Sequence, residues 1–147
     1  MDQPTYPLAV IMERIALENK WCTEKWEVKG VVRDVFGAEA KRRVIYEDAK
    51  HTQILFPGYV LVLYKDEVDN YHLNLSAPTP KVFVLWREQE GTPVPHSLTV
   101  SYGEAARWMD SNETVDAVAL PEELYPWISE FIERHYHPEP KKIRRRT

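Results

Sequence analysis

Residues 59–64 read Tyr-Val-Leu-Val-Leu-Tyr, a run of β-branched, aliphatic and aromatic side chains that is typical of a buried β-strand. A second run of this kind, Lys-Val-Phe-Val-Leu-Trp-Arg, occupies residues 81–87. Both runs are shorter than a usual core helix and are bounded by turn-forming residues. They predict a β-rich fold.

Shorter runs extend this pattern in both directions along the chain. Further strands are predicted at 8–12, 26–36, 42–47, 52–56, 97–100 and 114–120. Gly30 interrupts one of them and indicates a bulge or bend. Pro57-Gly58 predicts a turn, and residues 91–95 a loop.

Residues 71–75, Tyr-His-Leu-Asn-Leu, alternate between apolar and polar side chains. This alternation predicts another strand, with Tyr71, Leu73 and Leu75 facing the core. Asn74 is then expected to face solvent.

Two helices are predicted in the last third of the chain. Ser101 and Glu104 have the spacing of a capping box, which predicts a helix that ends near residues 110–112. Pro121 suits the first position of a second helix. Its apolar face comprises Leu124, Trp127, Ile128, Phe131 and Ile132.

Consecutive strands joined by short turns favour antiparallel pairing. The sequence therefore predicts an α+β, mainly β fold: an antiparallel rolled sheet or small barrel of about seven strands, with a short helix and a C-terminal amphipathic capping helix. Its length of 147 residues fits one domain. We expect a single globular domain at 1–136 and a disordered basic tail at 137–147.

The charge is distributed unevenly along the chain. The net charge of −4 divides into +5 for residues 141–147 and −9 for the rest. The tail charges come from Lys141, Lys142, Arg144, Arg145 and Arg146. This tail is either a solvated terminus or a contact for phosphate or an acidic protein surface, whereas the acidic body should repel nucleic acid.

No motif for catalysis or cofactor binding is apparent. The five glycines form neither a GxGxxG nor a GxxxxGK[ST] pattern, which argues against a nucleotidyltransferase or a P-loop enzyme. His135-x-His137 is better explained by a solvated or capping role at a helix end than by metal binding. We therefore expect no catalytic residues, no metal ligands and no cofactor.

The compartment is predicted from two features. Cys22 is the single cysteine, so an intrachain disulfide is impossible, as suits a reducing cytosol. Neither a signal peptide nor a stretch of about 20 apolar residues is present. A cytoplasmic location without membrane attachment is expected.

Two sets of residues are candidates for binding a partner. Trp21 and Trp26 flank a short polar segment and either contribute to the core or expose an aromatic side chain for binding. If the open face of the sheet forms a groove, Tyr71, Asn74 and Arg87 would grip a peptide or an anionic ligand there.

Five segments carry a resemblance to a known family. They are 7–14 (PLAVIMER), 21–31 (WCTEKWEVKGV), 73–80 (LNLSAPTP), 100–110 (VSYGEAARWMD) and 135–146 (HYHPEPKKIRRR). Taken in their order along the chain, these segments resemble a bacterial family of unknown function whose genes tend to lie beside formate dehydrogenase and other molybdoenzyme genes. Some members carry a label for molybdopterin-guanine dinucleotide biosynthesis, which the glycine pattern does not support as nucleotidyltransfer.

The resemblance implies work with, or on, a molybdenum-dependent formate dehydrogenase. We expect a non-catalytic accessory or assembly protein that binds a dehydrogenase subunit or maturation factor through the open sheet face, an edge strand or the tail. The alternative is a protein or small enzyme that handles the molybdenum cofactor, with Arg42, Arg43 and Arg87 holding its phosphates. A regulatory nucleic-acid-binding module is a further alternative, disfavoured by the acidic body.

Overall fold

Seven strands and three helices make up residues 3–137, the part of the chain that the computed structural model describes. The strands are β1 (Thr5–Ala16), β2 (Glu24–Arg33), β3 (Arg43–Glu47), β4 (His51–Val62), β5 (Lys81–Gln89), β6 (Thr92–Thr99) and β7 (Thr114–Ala119). The helices are α1 (Val68–Leu75), α2 (Tyr102–Asp110) and α3 (Tyr125–His135). Short 3-10 turns at Lys65–Glu67 and Glu122–Leu124 precede α1 and α3.

The strands form two antiparallel sheets with the orders β2-β1-β4-β3 and β6-β5-β7. The prediction of an antiparallel, mainly β fold is confirmed, although these strands do not close into a barrel. β2 lies beside β7, and β4 lies beside β6. The core therefore lies between the two sheets, and β3 extends the larger sheet beyond β4.

The connection between β2 and β3 crosses the larger sheet, because these strands lie at opposite edges of it. Asp34 holds the connection to both central strands. Its backbone N–H donates to the Pro7 carbonyl of β1, and its carboxylate accepts from the Gly58 N–H of β4 at 2.8 Å. This crossing places β3 next to β4.

The strand predicted at 71–75 is wrong, because these residues belong to α1. Val68, Tyr71 and Asn74 are buried at helical spacing, whereas Leu73 is 59% exposed. Five alternating residues are too few to separate a strand from one face of a helix. Asn74 consequently points inward, opposite to the prediction.

The turn predicted at Pro57-Gly58 is also wrong, since β4 continues through these residues. The register of β1 and β4 shifts there, from Leu8↔Tyr59 to Val10↔Phe56, so the strand accommodates them as a bulge. Gly58 has a φ of +92°, a conformation that favours glycine. The irregularity predicted at Gly30 is confirmed by a shift in the β1–β2 register.

Two element boundaries differ from the sequence predictions, and the predicted tail lies largely outside the described residues. β6 begins at Thr92, so most of the loop predicted at 91–95 is strand. The last helix begins at Tyr125, and Pro126, not Pro121, lies in its first turn. Of the predicted tail, residues 138–147, with all five basic positions, lie outside the described residues.

Helix α2 begins as predicted. The Ser101 hydroxyl accepts a hydrogen bond from the Glu104 backbone N–H at 3.0 Å. This contact satisfies one of the free N–H groups of the first turn. No helix in residues 3–137 is long and apolar enough to span a membrane.

Candidate functional site

Trp21 lies at the tip of the β1–β2 hairpin and is 92% exposed. The hairpin loop is closed by a hydrogen bond from Leu17 N–H to the Thr23 carbonyl at 2.9 Å. Within it, the Trp21 N–H donates to the Asn19 side-chain oxygen at 2.9 Å. Of the two alternatives left open for this tryptophan, the core role is therefore wrong, and its indole is presented to solvent on a turn held by hydrogen bonds.

Trp26 occupies a different environment, three residues after the loop. Its side chain is partly buried against the core, and its Nε1 donates to the Glu24 carboxylate at 2.6 Å. The core interpretation therefore holds for Trp26. Of the two tryptophans, Trp21 is the one available to a partner.

The larger sheet has one face toward the core and one outward face, which we call the open face, although Ala9, Leu55 and Glu13 on it are buried. Leu8, Val10 and Met12 of β1 belong to the core, so Ala9, Ile11 and Glu13 lie on the opposite side. Residues that pair across neighbouring strands share a face. The register therefore also places six residues of β2, β3 and β4 on the open face: Val32, Leu55, Gln53, Val60, Arg43 and Tyr46.

An apolar patch covers the end of the open face that is nearer the start of β1. We define the open-face patch as Val32, Val35, Phe36 and Val60. Val35 is 72% exposed and Val60 is 51% exposed. The Arg43 guanidinium lies 5.2 Å from the centre of the Phe36 ring, which places a cation at the border of the patch. Exposed apolar side chains near one end of a sheet face are typical of protein-binding sites.

The other end of the open face is polar and closely hydrogen-bonded. The buried Glu13 carboxylate accepts from Gln53 Nε2 at 2.8 Å. The Tyr46 hydroxyl donates to Asp48, which also accepts the backbone N–H groups of Lys50 and His51. These bonds hold the pKa of Asp48 well below its usual range and raise that of Tyr46. They fix the β3–β4 turn.

Tyr71 and Asn74 of the predicted groove are structural. Asn74 Nδ2 donates to the carbonyls of Lys81 at 2.7 Å and Val100 at 2.9 Å, and its Oδ1 accepts from the Lys81 N–H at 2.9 Å. The Tyr71 hydroxyl accepts from the Tyr64 N–H at 3.0 Å, and burial raises its pKa. Both side chains tie α1 to neighbouring segments.

Arg87 does not join them. It lies six residues beyond Lys81 on β5, roughly 20 Å along the strand, and pairs with Glu113 at 2.7 Å. The predicted groove of Tyr71, Asn74 and Arg87 is therefore not formed.

Arg42 and Arg43 lie over aromatic rings, those of Phe56 and Phe36. Arg42 borders a cavity of about 370 Å³ beside the β5–β6 hairpin, and Arg87 does not line it. Neither of the two cavities described here is lined by more than one of the three arginines. The cofactor-handling alternative needs them to converge on one basic pocket, and neither cavity provides that.

A larger cavity of about 580 Å³ lies where the end of β4 meets α3. Leu63, Tyr64, Trp127 and Phe131 line its apolar part, and its rim carries charges of both signs. The sequence does not reveal it, because its lining comes from three segments, at 3–4, 63–66 and 127–135, that lie some 60 residues apart along the chain.

His135 lies on the rim of this cavity, with its ring centre 4.5 Å from that of Phe131. Partial burial and the nearby Lys65 ammonium lower the pKa of His135. Within residues 3–137 no group of three or more His, Cys, Asp or Glu side chains is placed to hold a metal ion.

A family model matches residues 7–146. The chain belongs to the family described as Protein of unknown function (DUF3305). The match spans the β1–β2 hairpin, both sheets and all three helices, so the architecture described above is the family domain. No curated protein and no solved structure shows significant similarity to the chain.

Proposed function

We propose that this protein is a non-catalytic accessory protein that binds a protein partner through the β1–β2 hairpin tip and the adjoining larger sheet. The observation that carries the proposal is the exposure of Trp21. Tryptophan is the residue type most enriched among the few side chains that dominate binding energy at interfaces. An indole 92% exposed on a hydrogen-bonded turn would bury a large apolar area without an ordering cost for the loop.

The open-face patch supports the same function. Val60 adds exposed apolar surface on the larger sheet, Val35 adds it on the connection that follows β2, and Arg43 adds a cation beside Phe36. Interfaces commonly combine an apolar centre with arginine and a polar rim. The patch pairs with the start of β1 and the hairpin tip follows its end, so a partner that contacts both would extend roughly 25 Å along the strand.

The partner we propose is a subunit or maturation factor of a molybdenum-dependent formate dehydrogenase. This choice rests on the sequence segments that resemble proteins encoded beside such enzymes. The cofactor-handling alternative is less favoured, because Arg42, Arg43 and Arg87 are each engaged separately by Phe56, Phe36 and Glu113.

The test is affinity purification of the tagged full chain from its source organism, grown with formate and molybdate, followed by mass spectrometry. Three forms are compared: wild type, Trp21→Ala and Leu73→Ala. Leu73 is a matched control because it is also a large exposed apolar side chain, on α1.

We expect wild type and Leu73→Ala to recover a formate dehydrogenase subunit or maturation factor, and Trp21→Ala to lose it. Equal recovery by Trp21→Ala would place the binding surface elsewhere. Recovery of neither protein by wild type would contradict the accessory role.

A further inference from the structure

Strand β3 forms an edge of the larger sheet that no described strand covers. The opposite edge, β2, lies beside β7, whereas β3 pairs with β4 alone. All five residues of β3 are exposed, and Val44, Ile45 and Tyr46 are 55%, 43% and 49% exposed. An edge strand with apolar side chains and free backbone groups is a template for pairing with another strand.

The charges around β3 are polarised along the strand. Lys41, Arg42 and Arg43 stand at its start, and Glu47 and Asp48 at its end. An antiparallel neighbour of the same sequence would place this positive start beside a negative end, at both ends of the pair. Opposite charges in such positions stabilise a sheet, whereas the parallel arrangement would place like charges together.

We propose that the β3 edge binds a second copy of this chain in antiparallel orientation, forming a two-fold symmetric dimer. The two larger sheets then become one continuous sheet of eight strands. Because each copy has one β3 edge and uses it in the pair, the assembly closes at two copies. Val44, Ile45 and Tyr46 gain apolar neighbours in the other copy.

The bulge in β3 sets the strength of this dimer. The register with β4 shifts between Val44 and Tyr46, which leaves Ile45 as an extra residue. A bulge shortens the regular segment that can pair. An interface built on one short strand lies at the small end of specific interfaces. We expect a dimer that dissociates on dilution.

Charge reversal tests the proposal. One variant carries Arg42→Glu and Arg43→Glu, the other Glu47→Lys, and Asp48 is left intact because it holds the β3–β4 turn. Molar mass is measured by light scattering or sedimentation over a dilution series. Wild type is expected to shift from dimer to monomer on dilution, and each variant to dimerise at least about tenfold more weakly.

Mixing the two variants in equal amounts is expected to restore the dimer, because a largely negative β3 then meets a largely positive one. Lys29→Glu, an exposed charge reversal on β2, is the control and should dimerise like wild type. Circular dichroism checks that each variant is folded. If the Arg42→Glu, Arg43→Glu variant does not fold, the dilution series of the Glu47→Lys variant alone tests the proposal.

Three results would overturn the proposal: a wild type that stays monomeric at every concentration, a dimer insensitive to both reversals, or a mixture that stays monomeric. Trp21→Ala should leave the dimer intact. The outcome is therefore separable from that of the proposed partner binding.

Discussion

Asn74 shows how one polar side chain connects three parts of the fold. It is buried in α1 and forms three hydrogen bonds to the backbone of Lys81 and Val100. These bonds join the helix to the start of β5 and the end of β6. A buried backbone group that loses its partner costs more than an average hydrogen bond contributes.

Replacing Asn74 with alanine should therefore lower the free energy of unfolding by about 2–4 kcal/mol. Leu73→Ala, on the adjacent exposed position, should change it by less than about 0.5 kcal/mol. Urea unfolding followed by circular dichroism measures both. Similar midpoints for the two variants would show that the bonds of Asn74 contribute little.

Residue-scale predictions from the sequence succeeded where the signal is local. The Ser101 cap depends on two residues three apart, and it is confirmed. The orientation of Asn74 depends on distant backbone groups that the local alternation does not report. For Trp21 the sequence left a core role and an exposed role open, since composition does not separate core aromatics from binding ones.

At the scale of elements, two of the three bulges in the larger sheet involve the central strand β1. Each lies opposite β1, one in β2 near Gly30 and the other in β4 at Pro57-Gly58. Gly58 has a positive φ and its N–H donates to Asp34, whereas Gly30 has an ordinary φ. The bulge in β4 therefore requires its glycine for conformational reasons.

Gly58→Ala should lower the free energy of unfolding by about 1–2 kcal/mol, because an L-residue is strained at this φ. Gly30→Ala is the matched control. An added Cβ there meets no atom within 4 Å, so the change should be neutral or stabilising by up to about 1 kcal/mol. Thermal unfolding of both variants measures these changes. Equal losses of stability for Gly58→Ala and Gly30→Ala would contradict the claim that only the bulge in β4 requires its glycine.

Element types were predictable where a segment is long and strongly patterned, as in α3 and the central strands β4 and β5. Residues 71–75 were assigned to the wrong type because Val68, Tyr71 and Asn74 satisfy a helical spacing that a five-residue window hides. Pro57-Gly58 has the composition of a turn, and pairing of β4 with β1 on both sides overrides that local preference.

At the scale of the whole molecule, the two sheets are linked by Asp116 of β7. Its Oδ2 accepts from the Val28 backbone N–H of β2 at 2.9 Å and from Trp86 Nε1 of β5 at 3.2 Å. On the opposite side, the Tyr59 hydroxyl donates to the Pro95 carbonyl at 2.8 Å. Hydrogen bonds thus join β2 to β7 and β4 to β6.

Asp116→Ala should lower the free energy of unfolding by about 2–3 kcal/mol, since both donors lose a charged acceptor. Asp116→Asn keeps an acceptor oxygen and should lose less. Asp110→Ala, at the exposed end of α2, is the control. Urea unfolding separates the three variants, and a loss for Asp116→Ala no larger than the control's would contradict the linking role.

The sequence predicts the class of fold but does not predict the order of the strands in the two sheets. Nothing in the composition of residues 34–42 shows that they cross β1 and β4 to place β3 at the far edge. The open-face patch and the free β3 edge both result from that crossing. Surfaces for binding were consequently less predictable than the strands that carry them.

The central claim is that Trp21 anchors a protein partner, and the most direct test is the dissociation constant of the purified pair. The partner recovered with wild type is immobilised, and binding of wild type, Trp21→Ala and Leu73→Ala is measured. We expect Trp21→Ala to weaken binding by at least about 2 kcal/mol, roughly 30-fold, with Leu73→Ala unchanged. Equal dissociation constants for wild type and Trp21→Ala would contradict the claim that Trp21 anchors the partner.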